Sequence, residues 1–229
     1  MDNLRLWFSK TGLARYTSHL DAARLFARAV RQARIPVWYT EGFNPHPAIS
    51  FDYPLPLGTE AMREPVEIRL TEPIAPEDAV SRMNSVLPEG FLIVDAELDP
   101  PGLEISACRC VFEFGAAPQK IDGLIAAGGL TAEKSAKSHG KKIMKTVDVA
   151  PFLADAKTAA LPSGGCRLEC VLPLTPQNTV SPALIADAFS NAGAPVSRCV
   201  REELLRGQSE QNESHSTVSF SESYAERGE

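Results

Sequence analysis

A short stretch with two prolines presents an amide and an imidazole side chain that could take part in recognition or proton transfer. Residues 40–51 read TEGFNPHPAISF. Pro45 and Pro47 each lack a backbone donor and push the preceding residue toward extended geometry, so the sequence predicts a stiff loop rather than a helix. This loop presents Asn44 and His46, and histidine is the side chain best suited to proton transfer near neutral pH. The structural alternative is a turn that the prolines merely stiffen.

A second polar stretch follows the first predicted strand and combines cations with a helix start. Lys10 and Arg15 precede Ser18 and His19, which stand at the beginning of a helical pattern. Free N–H groups at a helix start favour anions, so these residues predict an anion site. In the structural alternative, Ser18 and His19 only cap the helix.

The two stretches together define the predicted substrate-binding residues. If the loop folds back over the helix start, His19 and His46 approach each other, and a histidine pair can cleave RNA by acid–base catalysis without a metal. No other catalytic residue and no metal ligand is assigned. The predicted substrate-binding set is Lys10, Arg15, Ser18, His19, Asp21, Gly42, Phe43, Asn44, His46 and Ser50.

Basic residues are concentrated in two further places. Residues 1–50 carry seven Lys or Arg against three Asp or Glu, although the net charge of the chain is −6, so this part suits an anionic partner. Residues 134–145 hold five lysines, which can neutralise phosphates or guard an edge strand against aggregation. Arg5 and Trp7, on the open face of the first strand, are candidates for stacking on an unpaired base. The candidate RNA contacts are Arg24, Arg28, Arg31, Lys137, Lys141 and Lys142.

The elements that must position these residues begin with a strand and a helix. Alternating apolar residues predict a strand over residues 4–8, and Ser18 is the predicted N-cap of a helix that runs through Arg34. The arginines of this helix are spaced to share its wet face. Its apolar side is predicted to hold Leu20, Ala23, Ala27 and Val30.

The order of predicted elements repeats along the chain. Residues 1–100 read β-α-β-β-α-β, the split βαβ of ferredoxin-like units, and residues 104–206 repeat this order with a lysine-rich hairpin turning at His139–Gly140. The predicted fold class is therefore α+β, with two tandem ferredoxin-like units. Residues 207–229 are rich in Ser, Glu and Gln and are predicted to be a disordered acidic tail.

Cysteine usage separates this chain from several enzyme classes. The five cysteines are an odd number, which fits reduced thiols. Strand parity places most of them in a helix-covered core, where cysteine behaves as a small hydrophobe, and a metal or iron–sulfur site is the alternative. The sequence has no C-x3-C-x2-C triad of radical S-adenosylmethionine (SAM) enzymes, no P-loop, no dinucleotide fingerprint and no paired-histidine zinc signature.

Composition places the chain among soluble globular proteins. It is 44 % hydrophobic and 23 % charged, and no run approaches the roughly 18 apolar residues that a membrane span requires. The N-terminus lacks the shape of a signal peptide. We therefore expect a cytoplasmic protein with no membrane partner.

Residues 4–100 resemble the radical SAM-linked protein family, a bacterial domain encoded beside, or fused to, a radical SAM protein with a cobalamin-binding-type domain. The second half resembles the family more loosely, and there Val149–Ala150 replaces the usual Ile-Arg, so no arginine contact is carried over to this place. The matching positions are Lys10-Thr11-Gly12, Ser18-His19-Leu20-Asp21, Tyr39, Glu41-Gly42-Phe43-Asn44-Pro45-His46-Pro47, Ser50-Phe51, Pro54-Leu55-Pro56-Leu57-Gly58 and Glu67.

The resemblance implies a partner radical SAM protein but no particular reaction. The partner would carry the iron–sulfur cluster and SAM, with cobalamin as a further candidate, and no cofactor is expected in this chain. The leading hypothesis is a non-catalytic accessory protein that binds or presents a substrate, RNA or an RNP component, to this enzyme. The alternatives are a metal-independent ribonuclease or related hydrolase that uses His19 and His46, and a scaffold that docks the partner through Phe43.

Overall fold

The computed structural model describes residues 2–138, 141–162, 164–176 and 178–207. Within these residues the chain forms four α-helices and ten strands, so the α+β class is confirmed. The predicted tail lies outside the described residues except for Gly207. In chain order the elements are β1 (Asn3–Lys10), α1 (His19–Gln32), β2 (Ile49–Ser50), β3 (Thr59–Arg69), α2 (Pro76–Asn84), β4 (Phe91–Leu98), β5 (Ile105–Phe114), α3 (Pro118–Ala127), β6 (Thr131–Ser138), β7 (Lys141–Asp148), β8 (Lys157–Ala160), β9 (Cys166–Pro173), α4 (Pro182–Asn191) and β10 (Val196–Arg206), with short 3-10 segments at Gly12–Tyr16 and Ala150–Leu153.

Helix α1 begins where its cap was predicted and ends two residues early. The Ser18 hydroxyl accepts a hydrogen bond from the Asp21 N–H, and Arg34 adopts a left-handed φ of 52° just beyond the helix. The predicted apolar side was wrong, because Leu20 is 59 % exposed. The buried side instead holds Ala22, Phe26, Ala29 and Val30.

The strands of both halves join in one mixed sheet with the order β4-β1-β3-β10-β5-β9-β8, and the short strand β2 also pairs with β3. Each half taken alone has the strand order of a split βαβ arrangement. The halves are joined where β10 runs parallel to β3, with Cys199 opposite Thr59 and Arg201 opposite Ala61. The predicted units thus share a continuous sheet.

The predicted lysine-rich hairpin is present as β6 and β7, which form a separate two-stranded sheet inserted between α3 and β8. Its predicted turn, His139–Gly140, lies outside the described residues. The side chains of Lys137, Lys141 and Lys142 also lie outside them, so these RNA contacts stay predictions.

Two hydrophobic cores lie on the helix-covered side of the sheet, one in each half. The first contains Leu4, Leu6 and Phe8 of β1, packed against α1 and α2, and the second is built around Phe112 and Phe189. The division into units at residues 1–100 and 104–206 stays a prediction. Among the described residues, no helix is long and apolar enough to cross a membrane.

A buried ion pair links the two halves beside the short parallel pairing. Glu64 is 2 % exposed and accepts two hydrogen bonds from the guanidinium of Arg201, at 2.6 and 2.5 Å. Arg201 is 1 % exposed and also donates to the Tyr53 carbonyl at 2.6 Å. Burial raises the pKa of Glu64, and the charge of Arg201 opposes this rise. The pair therefore joins β3, β10 and the loop that follows β2.

We predict that Glu64→Gln lowers the free energy of unfolding by about 3–5 kcal/mol, because it leaves the Arg201 charge buried without its partner. Urea denaturation followed by circular dichroism measures this change. Glu169→Gln is the matched control, since its carboxylate lies 3.6 Å from Arg109 at the surface, and its cost should stay below about 1 kcal/mol. Equal costs for the two variants would show that the buried pair does not hold the halves together.

Candidate functional site

Two surfaces of the first half carry the residues that the sequence singled out. We call the first the lysine cleft, a concavity beside the start of α1 whose polar lining is formed by Lys10, His19, Tyr53 and Glu64 over Phe8 and Phe51. We call the second the arginine face, formed by Arg24, Arg28 and Arg31 on the exposed side of α1.

Lys10 is the last residue of β1 and points to the helix-covered side of the sheet. A register shift against β3 follows Phe8, and the turn after the strand is held because the Thr11 N–H donates to the Gly90 carbonyl at 2.8 Å. A Cβ on Gly90 would lie 2.7 Å from the Thr11 carbonyl, so a close backbone approach fixes this turn. Lys10 is consequently 2 % exposed, a rare state for a lysine.

The Lys10 ammonium has few partners for a buried cation. Its Nζ donates to the Thr17 carbonyl at 2.8 Å. Burial lowers the pKa of Lys10, and the nearby Glu64 carboxylate opposes this effect. Both oxygens of Glu64 are already bonded to Arg201.

The His19 ring and an aromatic cluster form one wall of the lysine cleft. The His19 ring stands at 90° to the Phe51 ring with 5.6 Å between centroids, and Phe51 in turn packs edge-on against Phe26 at 5.4 Å. The cleft is small, because the centre of a water-sized molecule can occupy about 20 Å³ of it. It therefore suits a small polar group beside an aromatic surface.

The other predicted anion-site residues at the helix start are engaged in protein contacts. The Arg15 guanidinium donates to the buried Glu60 carboxylate at 3.0 Å, and Arg198 donates to the same carboxylate at 2.9 Å. Ser18 caps the helix and donates to Asp21 at 2.7 Å. Ser18 thus caps the helix, and its place in the substrate-binding set stays a prediction, while Lys10 and His19 line the lysine cleft.

The proline loop closes on itself through His46. The Thr40 N–H donates to the His46 carbonyl at 2.9 Å, and the Thr40 hydroxyl lies 3.0 Å from His46 Nδ1. Gly42 has a φ of 123°, which glycine adopts without strain, and Phe43 is fully exposed beside the exposed Asn44. The loop is therefore a closed turn that presents an aromatic ring at its tip.

The structure does not bring His19 and His46 into contact. His19 packs on Phe51, whereas His46 is held by Thr40, and among the described residues no hydrogen bond joins the two rings. Ser50 is exposed and pairs in strand β2 with Glu67 of β3. The predicted set is thus dispersed: Lys10 and His19 line the lysine cleft, and Gly42, Phe43, Asn44 and His46 belong to the proline loop. The other members, Arg15, Ser18, Asp21 and Ser50, make the separate contacts described above.

The arginine face is largely free of carboxylates. Arg24 lies 3.4 Å from Asp21, and both side chains are more than half exposed. Among the described residues, Arg28 and Arg31 form no salt bridge, although Arg31 Nε donates to the Ala27 carbonyl at 3.2 Å. The predicted wet face of α1 is therefore confirmed, and its charge is available to a partner.

Sequence reasoning missed one cation–aromatic pair and misassigned another surface. The guanidinium of Arg69 lies over the Trp38 ring at 5.3 Å, and residue types alone give no signal for this pair. In contrast, Arg5 and Trp7 are 3 % and 6 % exposed, because Glu67 and Glu97 bind them. The open face of β1 thus offers no free ring for a base.

The cysteines lie in the core, as the strand pattern predicted. All five are buried free thiols, and the sulfur atoms of Cys108 and Cys110 are 3.7 Å apart. Burial raises the pKa of Cys170 and Cys199 to about 12 each. Within the described ranges, no group of three or more His, Cys, Asp or Glu side chains is arranged to hold a metal ion.

These features define a small α+β protein with a buried basic cleft and an exposed basic helix. The chain belongs to the family described as "Uncharacterized protein conserved in bacteria (DUF2344)", whose model matches residues 3–182. This match does not test the predicted radical SAM association, which stays a prediction.

Comparison with other proteins adds little beyond the family. Among curated proteins, none matches this sequence. Among solved structures, the fold is similar to a chain of "Crystal Structure of a Cbf5-Nop10-Gar1 Complex", with a TM-score of 0.40 and 10 % identity. The match covers 80 % of this chain and 45 % of that chain, and a likeness of this size carries no argument about function.

The buried thiols predict a specific loss of stability at alkaline pH. A thiol whose pKa in the folded state is about 12, against an ordinary value of 9.0, stays protonated after the unfolded chain has ionised. Its stabilising contribution is complete below pH 9 and falls by about 1.4 kcal/mol per pH unit as the pH rises toward 12. Between about pH 8 and about pH 10 the Cys170→Ala variant should therefore lose about 1.4 kcal/mol less stability than the unaltered protein, as measured by urea denaturation at both pH values. Identical slopes for the variant and the unaltered protein would contradict the assignment.

Proposed function

We propose that this chain is a non-catalytic accessory protein, built from two tandem ferredoxin-like units, that binds single-stranded RNA and presents it to a partner radical SAM enzyme. The proposed RNA binding rests on the arginine face, a row of exposed guanidinium groups with few carboxylate partners among the described residues. Arginine binds phosphate in a bidentate manner and is weakly hydrated, so this row suits a phosphate backbone.

The dimensions of the arginine face fit several phosphates. Arg24 and Arg31 are seven positions apart in α1, which corresponds to roughly 10 Å at about 1.5 Å per residue. A stacked strand has one phosphate for about each 3.4 Å, so the row spans about three of them. The local surplus of basic residues favours this contact despite the negative net charge of the chain.

The proline loop supplies an aromatic group for an unpaired base. Phe43 is fully exposed at the tip of a turn that Thr40 and His46 close, so ordering this ring on a base costs little backbone entropy. Exposed aromatic rings bind unpaired bases by stacking, largely without sequence preference.

The geometry favours this binding role over the ribonuclease alternative. General acid–base cleavage needs both groups within hydrogen-bond reach of the reacting atoms, whereas His19 packs on Phe51 and His46 is bonded within the proline loop. The radical SAM partner rests on the resemblance alone. In this proposal the partner supplies the iron–sulfur cluster and SAM, with cobalamin as a further candidate.

The RNA contact is tested by filter binding at several salt concentrations. The unaltered protein should bind a single-stranded oligonucleotide, and replacing both Arg28 and Arg31 by Gln should weaken binding roughly tenfold and reduce the salt slope by about 1.4, because about 0.7 is lost for each phosphate contact. The double variant Arg109→Gln and Arg167→Gln is the control, since these arginines are similarly basic but paired with glutamates in the second half. An unchanged affinity in the α1 variant would refute this interface.

Phe43→Ala separates RNA binding from protein docking. Loss of one base stack should weaken RNA binding by about 1–3 kcal/mol, whereas the scaffold alternative predicts unchanged RNA affinity and a weaker protein complex.

A pull-down from the native cytoplasm with and without ribonuclease, read by mass spectrometry, measures the protein complex. Recovery of a radical SAM protein that survives ribonuclease supports the accessory role, and recovery of none contradicts it.

The same RNA preparation tests the ribonuclease alternative. In the proposed role the oligonucleotide stays intact during prolonged incubation with the protein. Cleavage that is lost in His46→Ala and His19→Ala would instead favour the enzyme.

A further inference from the structure

We propose that the lysine cleft is a binding site for the carboxylate group of a small organic acid, with Lys10 as the cation that binds it and with the apolar body of the acid lying against His19 and Phe51. This site is separate from the arginine face and does not depend on RNA binding.

Around the cleft, the positive charges outnumber the buried carboxylates, and Lys10 contributes to the excess. Glu64 binds Arg201 through both oxygens, so its single negative charge is shared between Arg201 and the nearby Lys10. The other buried carboxylate of this region, Glu60, is bonded to Arg15 and Arg198. Lys10 therefore contributes a net positive charge to a place that water barely reaches.

The hydrogen bonds of Lys10 also indicate that its ammonium group can bind an acceptor in the cleft. An ammonium group has three donors, and the bond that the structure assigns to Nζ within the described residues is the one to the Thr17 carbonyl. Lys10 lines the cleft, so a group that enters beside it can accept the remaining N–H bonds. A charged acceptor gains more from these bonds than a neutral one.

A second feature attracts negative charge to the same place. His19 is the first residue of α1, which has 14 residues, so the positive end of the helix dipole faces the cleft. Asp21 occupies part of this helix end, but it is bonded to Ser18 and lies close to Arg24. The dipole thus adds to the charge of Lys10 instead of being fully compensated.

The dimensions and lining of the cleft select among anions. About 20 Å³ for the centre of a water-sized molecule holds one or two oxygen atoms, since one water needs roughly 10–15 Å³. Two oxygens in a plane describe a carboxylate better than the bulkier tetrahedral phosphate. Beyond them lie the ring of Phe51 and the residues Pro54 and Leu55, so the rest of the ligand meets an apolar surface.

The proposal is tested by calorimetric titration of the full chain with sodium benzoate. Benzamide is the matched control ligand, because it has the same ring and nearly the same shape without the charge. We expect benzoate to bind at least tenfold more tightly than benzamide at equal ionic strength. Equal binding of the two, or binding of neither, would overturn the proposal, and this comparison requires no altered protein.

Two variants locate the site. Lys10→Met should reduce benzoate binding to the level of benzamide, whereas Lys157→Met, which alters an exposed lysine of β8, should leave it unchanged. Circular dichroism establishes that each variant is folded. If Lys10→Met does not fold, NMR titration of the unaltered protein replaces it, with benzoate expected to shift the amide signals of Lys10, His19 and Phe51. Shifts confined to the arginine face, or full binding in folded Lys10→Met, would overturn the assignment.

Inorganic phosphate is the third probe. Binding of benzoate without phosphate supports a carboxylate site. Binding of phosphate without benzoate would overturn the assignment to carboxylate. Loss of RNA binding in the α1 arginine variants with benzoate binding retained would separate this site from the proposed function.

Discussion

The buried bond between Glu64 and Arg201 is the contact on which the rest of the arrangement depends. Short parallel pairing between β3 and β10 joins the two halves through three residue pairs, and such pairing is weak by itself. The ion pair lies beside it and also fixes the carbonyl of Tyr53, which lines the lysine cleft. The second half thus supplies a residue that shapes a site in the first half.

The same bond sets the electrostatics of the cleft. Without Arg201, the carboxylate of Glu64 would be free to pair with Lys10, and the cleft would be nearly neutral. Because Arg201 binds both oxygens of Glu64, one negative charge is shared between two cations, and the cleft keeps a net positive charge. Helix α1 then separates two surfaces, since its first residue borders the cleft and its exposed side carries the arginine face.

Local sequence signals predicted much of this fold, and long-range contacts account for what they missed. The Ser18 cap and the strand of β1 follow from short-range patterns. The apolar side of α1 was assigned wrongly because small alanines lie on several sides of the helix, and Leu20 is exposed at its start. Glu64 and Arg201 are 137 residues apart, and charged residues in a strand pattern indicate a solvent-facing side, so sequence alone gives no sign of their burial.

The placement of Lys10 is difficult to explain by stability alone. Burying an ammonium group costs several kcal/mol, and an apolar residue of similar length would fill the same space while avoiding that cost. Here the cation has the Thr17 carbonyl as its hydrogen-bond acceptor and a carboxylate neighbour already bonded to Arg201. A ligand carboxylate would accept the remaining N–H bonds of Lys10. Its binding would therefore offset the free-energy cost of burying the ammonium group. Ligand binding is therefore a physical reason for a lysine, rather than a methionine, at the end of β1.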